Sequence, residues 1–182
     1  LCDWDGLLVT APARTTVDIA RARGFLPGLV TADAALRVGV PRSDLHAALA
    51  SMPRWPGCTQ ARAIVRHAHG ASESPLESVV RARLIGLGLP LPRLQQPIYA
   101  DDGGLIARVD FYWEEYGLVG EADGKVKYVD EQALFREKQR RDAIEESYQV
   151  IRWTWRQAHE PDELFRNRLL AAIARAQARR AA

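Results

Sequence analysis

Cysteine and histidine are scarce in this sequence, and their positions form no metal-binding pattern. The two cysteines, Cys2 and Cys58, lie far apart and match no spacing of metal ligands. The four histidines are scattered, and His67 and His69 are two positions apart on a predicted helix, where they would not share a face. The sequence therefore disfavours a zinc site.

The sequence also lacks a long apolar run and the pattern of a secretory signal peptide. Together with the low cysteine content, these absences predict a protein of the reducing cytoplasm that does not engage a membrane. The chain opens on Leu1 rather than on methionine, and we expect it to be the remainder of a longer protein.

Neither positive nor negative charge is in large excess. The formal net charge is +2 over 182 residues, so global charge does not indicate nucleic-acid binding, and any basic surface has to be local. A chain of this length with 47% hydrophobic residues can bury one substantial core with a small subdomain attached.

Short helical patterns separated by turns fill the first part of the chain. They predict helices over residues 12–23, 31–38, 43–51 and 59–69, with Thr31 and Ser43 as N-caps. Residues 1–70 are therefore predicted to form a small all-helical region.

The pattern changes after residue 70. Ser74 is a good N-cap, Pro75 occupies the first helical position, and Glu77 falls where a capping-box glutamate would reach back to the Ser74 amide. Strand patterns follow over residues 95–100, 105–113 and 117–123, then a polar helix over 131–148, a strand over 149–155 and a terminal helix opened by Pro161. The order α-β-β-β-α-β-α predicts an α/β domain over residues 71–182, with a mixed sheet flanked by helices.

Carboxylates gather near the ends of the second and third predicted strands. If these strands pair through the turn at residues 114–117, Trp113 opposes Leu118 and Asp110 opposes Glu121. Directly opposed residues have Cβ atoms about 4.5–5.5 Å apart, close enough for two carboxylates to share one ion. The alternating apolar residues then face the other side, so that one face is packed and the other carries the site.

Two explanations account for these opposed negative charges. A divalent cation bound by Asp110 and Glu121, with Asp123 one step further along, would compensate their repulsion. Alternatively, Arg108, which would oppose Asp123, and Lys125 neutralise the carboxylates without a metal. The residues alone leave both explanations open.

Five segments stand in a characteristic order between Ser74 and about Ala158, namely SPLES, RVDFYW, GEADGKVKY, EKQRRD and VIRWTW. An aspartate near the end of one strand, followed by Glu-x-Asp-Gly-Lys at the end of the next, resembles the PD-(D/E)XK nuclease superfamily. The five ordered segments resemble its branch related to very-short-patch-repair (Vsr-like) endonucleases. This resemblance implies a restriction-endonuclease-like fold for residues 71–182.

The resemblance also implies roles for individual residues. Asp110 becomes the central metal ligand, Glu121 the second ligand and Glu77 a helix-borne acidic residue near the site, although the capping box alone also explains Glu77. In one alignment Glu121-x-Asp123 fills the (D/E)XK slot and leaves aspartate in place of the usual lysine, and in the other Asp123-x-Lys125 fills it. The first alignment agrees with the hairpin register. Under either alignment, Lys125 and Lys138 are the candidates for the water-activating group.

Basic residues near these strands are candidates for contacts with nucleic-acid phosphates. They are Arg108, Lys127, Lys138, Arg140, Arg141 and Arg152. Acidic residues interleaved along the polar helix are equally typical of a solvated helix with salt bridges. Arg152 and Arg156 alternate with Trp153 and Trp155, which would suit base stacking, but buried tryptophans are the favoured interpretation.

The segment VTAPARTTVDIARARG near the N-terminus resembles the T-x-P-x-R-T-x-x-D motif of proteins similar to AbiEi-family antitoxins. Its polar members are Thr10, Arg14, Thr15 and Asp18. The favoured interpretation of these residues is a helix-capping and salt-bridge network.

Together, these resemblances imply an endonuclease that hydrolyses DNA phosphodiester bonds with Mg²⁺, or Mn²⁺, at an all-oxygen site. The alternative is a DNA-binding regulator of the toxin-antitoxin type that keeps the nuclease fold with little or no catalysis. The aspartate at the lysine position and the antitoxin-like segment favour the regulator, whereas the acidic cluster and nearby lysines favour the enzyme. RNA stays open as a partner.

Overall fold

The structure is a computed structural model that describes residues 1–100, 103–124 and 131–181. The chain divides into two compact units, Leu1–Ala82 and Arg83–Ala182. Among the described residues, no helix combines the length and the apolar character that a membrane span requires.

The first unit contains a β-hairpin and four helices before α5 (Pro75–Gly86), namely β1 (Cys2–Trp4), β2 (Leu7–Val9), α1 (Pro12–Ala22), α2 (Phe25–Arg37), α3 (Arg42–Ala50) and α4 (Cys58–His67). The hairpin corrects the prediction of an all-helical region. Its turn residues Asp5 and Gly6 have φ values of 50° and 80°, which suit the Asp-Gly pair of a two-residue hairpin loop.

Two predicted N-caps lie inside helices instead. Helix α2 begins at Phe25, directly after Gly24, so Thr31 is an interior residue whose Oγ1 donates to the Pro27 carbonyl at 2.9 Å. Pro27 is accommodated because amides in the first turn have no intrahelical acceptor. Ser43 is likewise interior, since Pro41 is the N-cap residue of α3.

A buried ionic network holds the first unit together around α2. Asp33 is fully buried. Its carboxylate accepts from Arg81 Nη1 at 2.5 Å, Ser78 Oγ at 2.8 Å and the His69 amide at 2.7 Å. These bonds link α2 to the first part of α5 and to the segment after α4.

In its described residues, the second unit contains a four-stranded sheet and three further helices. They are β3 (Arg93–Tyr99), β4 (Leu105–Trp113), β5 (Leu118–Ala122), α6 (Glu131–Ser147), β6 (Gln149–Trp153), α7 (Trp155–Ala158) and α8 (Asp162–Ala181). The strand order is β3-β4-β5-β6. The first two pairs are antiparallel and β5-β6 is parallel. The prediction of an α/β architecture with a mixed sheet is confirmed.

Helices cover both faces of this sheet. Phe165 of α8 stacks on Trp153, with ring centroids 5.9 Å apart. On the opposite face, Ile144 of α6 joins a buried cluster with Val119, and Tyr148 packs edge-on against Tyr112. The face that carries the predicted site is therefore partly covered by α6, which corrects the simple division into a packed face and a reactive face.

The last predicted strand is shorter than the sequence suggested. Strand β6 ends at Trp153 because Thr154 caps the short helix α7. Thr154 Oγ1 accepts from the Gln157 amide at 3.4 Å, and the Gln157 side chain accepts from the Thr154 amide at 2.9 Å. This reciprocal pair is a capping box, so Trp155 is helical.

Candidate active site

The β4-β5 hairpin sets the geometry of the candidate site. Its paired residues are Phe111 with Gly120, Tyr112 with Val119 and Trp113 with Leu118. The Gly117 amide donates to the Glu114 carbonyl at 3.3 Å, and the positive φ of 63° at Gly117 closes the turn. The register predicted from the alternation of apolar residues is confirmed.

Asp110 lies one step beyond the last pair of this ladder and is fixed by two strands. Its Oδ2 accepts from the Ala122 amide of β5 at 2.8 Å, and its Oδ1 accepts from Gln95 Nε2 of β3 at 3.2 Å. The carboxylate therefore points across the hairpin to the residue that follows Glu121. The predicted juxtaposition of Asp110 with the end of β5 is confirmed.

Gln95 is a site residue that the sequence did not reveal. Its backbone has a φ of 51°, a left-handed conformation that a non-glycine residue in a strand rarely adopts. Such a conformation costs about 1–3 kcal/mol, and strained residues of this kind cluster at functional sites. The only available signal was a pair of polar glutamines inside a strand pattern, which does not indicate backbone strain.

Glu121 lies between two arginines from different elements. Its Oε1 is 3.0 Å from Arg140 Nη1 of α6, and its Oε2 accepts from Arg152 Nε of β6 at 3.2 Å. Arg152 is the direct neighbour of Glu121 in the parallel β5-β6 ladder. The Glu121 residue is 8% exposed, so both ion pairs are largely shielded from water.

Asp123 and Glu145 extend this group of charges. The Asp123 amide donates to the Trp153 carbonyl at 2.9 Å, and its Oδ2 lies 3.8 Å from Arg141 Nη2. Arg152 Nη2 lies 2.8 Å from Glu145 Oε1, but the contact is not aligned as a hydrogen bond. The resulting charge network consists of Glu121, Asp123, Glu145, Arg140, Arg141 and Arg152.

This charge network contains residues from two separate predictions, the proposed metal ligands and the proposed phosphate contacts. Neutralisation of Glu121 and Asp123 by arginines of α6 and β6 is therefore observed, and neutralisation by Arg108 and Lys125 stays a prediction. Arg108 is exposed on β4, where its ladder partner on β3 is Pro97. Lys138 is exposed on α6. Lys125 and Lys127 lie outside the described residues.

Within the described ranges, no three or more Asp, Glu, His or Cys side chains form a group that could hold a metal ion. The carboxylates of Asp110, Glu121 and Asp123 thus do not converge as a three-ligand centre. The hairpin register nevertheless brings Asp110, in the interior of β4, beside the C-terminal end of β5, which carries Glu121.

Glu77 belongs to the first unit and has a clear structural role. The Glu77 amide donates to Ser74 Oγ at 3.2 Å, and Glu77 Oε2 accepts from the Glu73 amide at 2.9 Å. The capping arrangement is confirmed, except that the glutamate reaches Glu73 rather than the Ser74 amide. A catalytic role for Glu77 stays a prediction.

The two tryptophans near β6 differ in their surroundings. Trp153 is fully buried, in agreement with the favoured interpretation, whereas Trp155 is 47% exposed and stacks on His159 with ring centroids 5.9 Å apart. Only Trp155 of this pair could offer a face to a base.

The antitoxin-like segment forms a local network within the first unit. Arg14 Nε donates to Asp18 Oδ2 at 2.7 Å, Arg21 Nη2 donates to Asp18 Oδ1 at 3.1 Å, and the hydroxyl groups of Thr10 and Thr15 lie 2.6 Å apart. No side chain caps the start of α1, so the predicted salt bridges form without the predicted cap.

Comparison with known proteins gives relatives but no function. No protein-family model and no solved structure matches the chain. It is similar to two Mycobacterium tuberculosis proteins, "Uncharacterized protein MT2308" of strain CDC 1551 and "Uncharacterized protein Rv2248" of strain H37Rv. Each is 37% identical over 150 residues, which cover 82% of this chain and 54% of the relative. The chain therefore spans about half the length of the curated relatives it matches.

Proposed function

We propose that residues 71–182 form a Vsr-like domain of the PD-(D/E)XK nuclease superfamily, which hydrolyses DNA phosphodiester bonds with a divalent metal. One observation carries the proposal: Asp110, in the interior of β4, accepts a hydrogen bond from the Ala122 amide, beside Glu121 at the C-terminal end of β5. The order α5-β3-β4-β5-α6-β6 and the mixed sheet support a restriction-endonuclease-like arrangement.

The donor chemistry of Asp110 and Glu121 fits Mg²⁺ or Mn²⁺. Mg²⁺ usually keeps several waters and is bound by one or two carboxylates together with substrate phosphates, so a ready-made group of three protein ligands is not required. Asp110 and Glu121 would hold the ion, with Asp123 as a further oxygen donor on the same strand end. When bound, the ion would supply Lewis-acid polarisation of a phosphate and lower the pKa of a water.

The chain's own residues contribute orientation and charge. The two hydrogen bonds on Asp110 fix its carboxylate before a substrate arrives, which is the kind of preorganisation that a site requires. Arg140 and Arg152 carry planar guanidinium groups whose geometry suits phosphate oxygens. A lysine, either Lys138 or Lys125, would stabilise the charge that develops on the phosphate oxygens.

Replacement of Asp110 by asparagine tests this proposal. Asparagine keeps an oxygen that can accept from the Ala122 amide, but it removes the negative charge that a metal requires. We expect cleavage of supercoiled plasmid in Mg²⁺ or Mn²⁺ to fall by about a hundredfold or more, because metal activation is worth several kcal/mol. Asp142→Asn, which makes the same change at an exposed position on α6, is the matched control. Wild-type rates of cleavage by Asp110→Asn would contradict the assignment.

A DNA-binding regulator is the second candidate, and the double engagement of Glu121 favours it. Arg140 and Arg152 already compensate the charge of this carboxylate without a metal. Retention of DNA by both wild type and Asp110→Asn, with no cleavage in either metal, would support the regulator. The same assay with single-stranded and duplex RNA would decide between the two nucleic acids.

A further inference from the structure

A cavity of about 360 Å³ lies beside the β4-β5 turn, within the second unit. Its volume falls near the lower end of the range for ligand pockets, about 300–1,000 Å³, so it suits a small ligand or one chemical group of a larger one. The polar residues that line it are Tyr112, Glu114, Ser147, Tyr148, Arg179 and Arg180. None of them belongs to the charge network or bonds to Asp110, so the cavity is separate from the candidate active site.

Two arginines of α8 supply the positive charge of this cavity. Arg179 donates to two carbonyls in the last turn of α6, at 2.8 Å for that of Glu145. Arg180 Nη1 donates to two carbonyls of the β4-β5 turn, at 3.2 and 2.9 Å. Carbonyl oxygens orient a guanidinium group without removing its unit charge. In the described part of the chain, neither arginine forms an ion pair with a carboxylate, so both charges are held in place and available to an anion.

Glu114 also lines the cavity, but its charge is compensated from outside. Glu114 Oε2 lies 2.6 Å from Arg93 Nη2. Arg179 and Arg180 leave the lining with one positive charge in excess even before Arg93 is counted. The electrostatics of the cavity therefore favour an anionic ligand.

Hydroxyl groups complete the donor set. Tyr112 packs edge-on against Tyr148, with ring centroids 5.9 Å apart, and the two side chains share a hydrogen bond. Burial, followed by the neighbouring Tyr148, raises the pKa of Tyr112 above its ordinary value of 10.0. Its phenol is therefore protonated near neutral pH and can donate a hydrogen bond. Ser147 adds a third hydroxyl to the lining.

This combination of charges and donors matches a phosphate monoester. Such a group carries a charge of about −1.5 to −2 near neutral pH and three strong acceptor oxygens, and guanidinium groups suit its geometry. A carboxylate has a single charge and two oxygens, so it would leave part of the donor set unused. A phosphodiester inside a nucleic-acid strand also carries only a single charge, and its chain continues on both sides, which fits a groove better than a small cavity.

We propose that this cavity binds the phosphate group of a monoester, carried either by a small phosphorylated molecule or by the phosphorylated end of a nucleic-acid strand. The site is independent of the proposed nuclease chemistry, because none of its lining residues is a candidate metal ligand. Binding at this cavity adds a ligand to the second unit that cleavage itself does not require.

The first test uses inorganic phosphate as the probe and needs no variant. Wild type labelled with ¹⁵N is titrated at about pH 8, where phosphate is mostly a dianion, against chloride at equal ionic strength. The amide signals of Gly117, Tyr148, Arg179 and Arg180 should shift and saturate with a dissociation constant of about 1 mM or below. Shifts that do not saturate, or that lie elsewhere in the chain, would overturn the inference.

The second test removes one charge from the cavity. In Arg180→Gln the amide can still donate to a turn carbonyl, but the guanidinium charge is lost, so phosphate affinity should fall about tenfold or more. Arg166→Gln is the matched control, since Arg166 is an exposed arginine of α8 that also donates to a carbonyl, that of Leu87 at 3.1 Å. The control should bind phosphate as wild type does. Equal affinities in the two variants would overturn the inference, because phosphate binding would then not depend on the cavity.

The third test distinguishes the two sources of the phosphate group. Adenosine monophosphate and a 5′-phosphorylated DNA strand compete with inorganic phosphate, and adenosine and the same strand with a 5′-hydroxyl are their controls. Displacement by either phosphorylated ligand, but not by its control, supports the site and identifies the source. Displacement by neither would overturn the inference, since the cavity would then hold an adventitious ion only. None of these measurements involves cleavage or a divalent metal, so this inference and the proposed function can fail separately.

Discussion

Replacement of Asp33 by alanine is expected to destabilise the first unit severely. Asp33 is fully buried and accepts hydrogen bonds from Arg81, Ser78 and the His69 amide. Alanine would leave the Arg81 guanidinium without its carboxylate, in a residue that is only 8% exposed. Removal of one partner from a buried ion pair costs about 3–5 kcal/mol, because the remaining charge stays desolvated.

Asp18→Ala is the matched control for this change. Asp18 also pairs with two arginines, Arg14 and Arg21, but its side chain is 32% exposed. Exposed ion pairs contribute about 0–1 kcal/mol, so the control should lose little stability. The difference of at least about 2 kcal/mol between the variants therefore measures the effect of burial.

Urea unfolding followed by circular dichroism, together with amide hydrogen exchange of α2, measures both losses within the first unit. The double variant Asp33→Ala with Arg81→Met should recover much of the lost free energy of unfolding, since no buried charge is then left without its partner. The reasoning is refuted if Asp33→Ala loses no more than Asp18→Ala, or if the double variant is as unstable as the single one.

Two further predictions concern the packing of the sheet and the titration of His69. Gly120→Ala should lower the free energy of unfolding by about 1–3 kcal/mol, because a Cβ there would lie 2.9 Å from Trp113 Cζ3 and 3.0 Å from Trp153 Cζ3. Thermal unfolding measures the loss, and equal stability of Gly120→Ala and Gly124→Ala, whose added Cβ would meet nothing within 4 Å, would contradict it. Burial, followed by the positive charge of Arg81, lowers the pKa of His69 below its ordinary value of 6.5. The unfolded chain then binds more protons, so the stability that His69 contributes is lost as the pH falls below 6.5. An NMR titration midpoint for His69 at or above 6.5 would contradict this sign.

Local patterns predicted much of the candidate site because they involve residues close together in the chain. The β4-β5 register follows from the two-residue alternation of apolar side chains and from the short turn. A shift of one residue in the pairing would move Phe111 and Trp113, which are buried, to the other face of the sheet. The N-cap at Ser74 could also be predicted from the sequence, because a capping box spans only four residues. The missed β1-β2 hairpin also had a local signal, the Asp5-Gly6 pair.

Contacts between segments that are distant in the chain could not be predicted from local sequence patterns. Parallel pairing of β5 with β6 requires a crossover through α6, and no local pattern specifies which residue of β6 then faces Glu121. The left-handed backbone of Gln95 is likewise a property of the folded sheet. The basic residues could therefore be named as candidates, but their partners could not.

The sequence by itself determined that Asp110 would lie beside the end of the strand that carries Glu121, since alternation and turn length constrain both strands. Only the tertiary structure decided what surrounds them. Helix α6 and strand β6 bring Arg140 and Arg152 onto Glu121 from positions 19 and 31 residues further along the chain. That convergence depends on how the helix packs across the sheet, and it turns two separate predictions, a metal site and a phosphate-binding surface, into one network of charges.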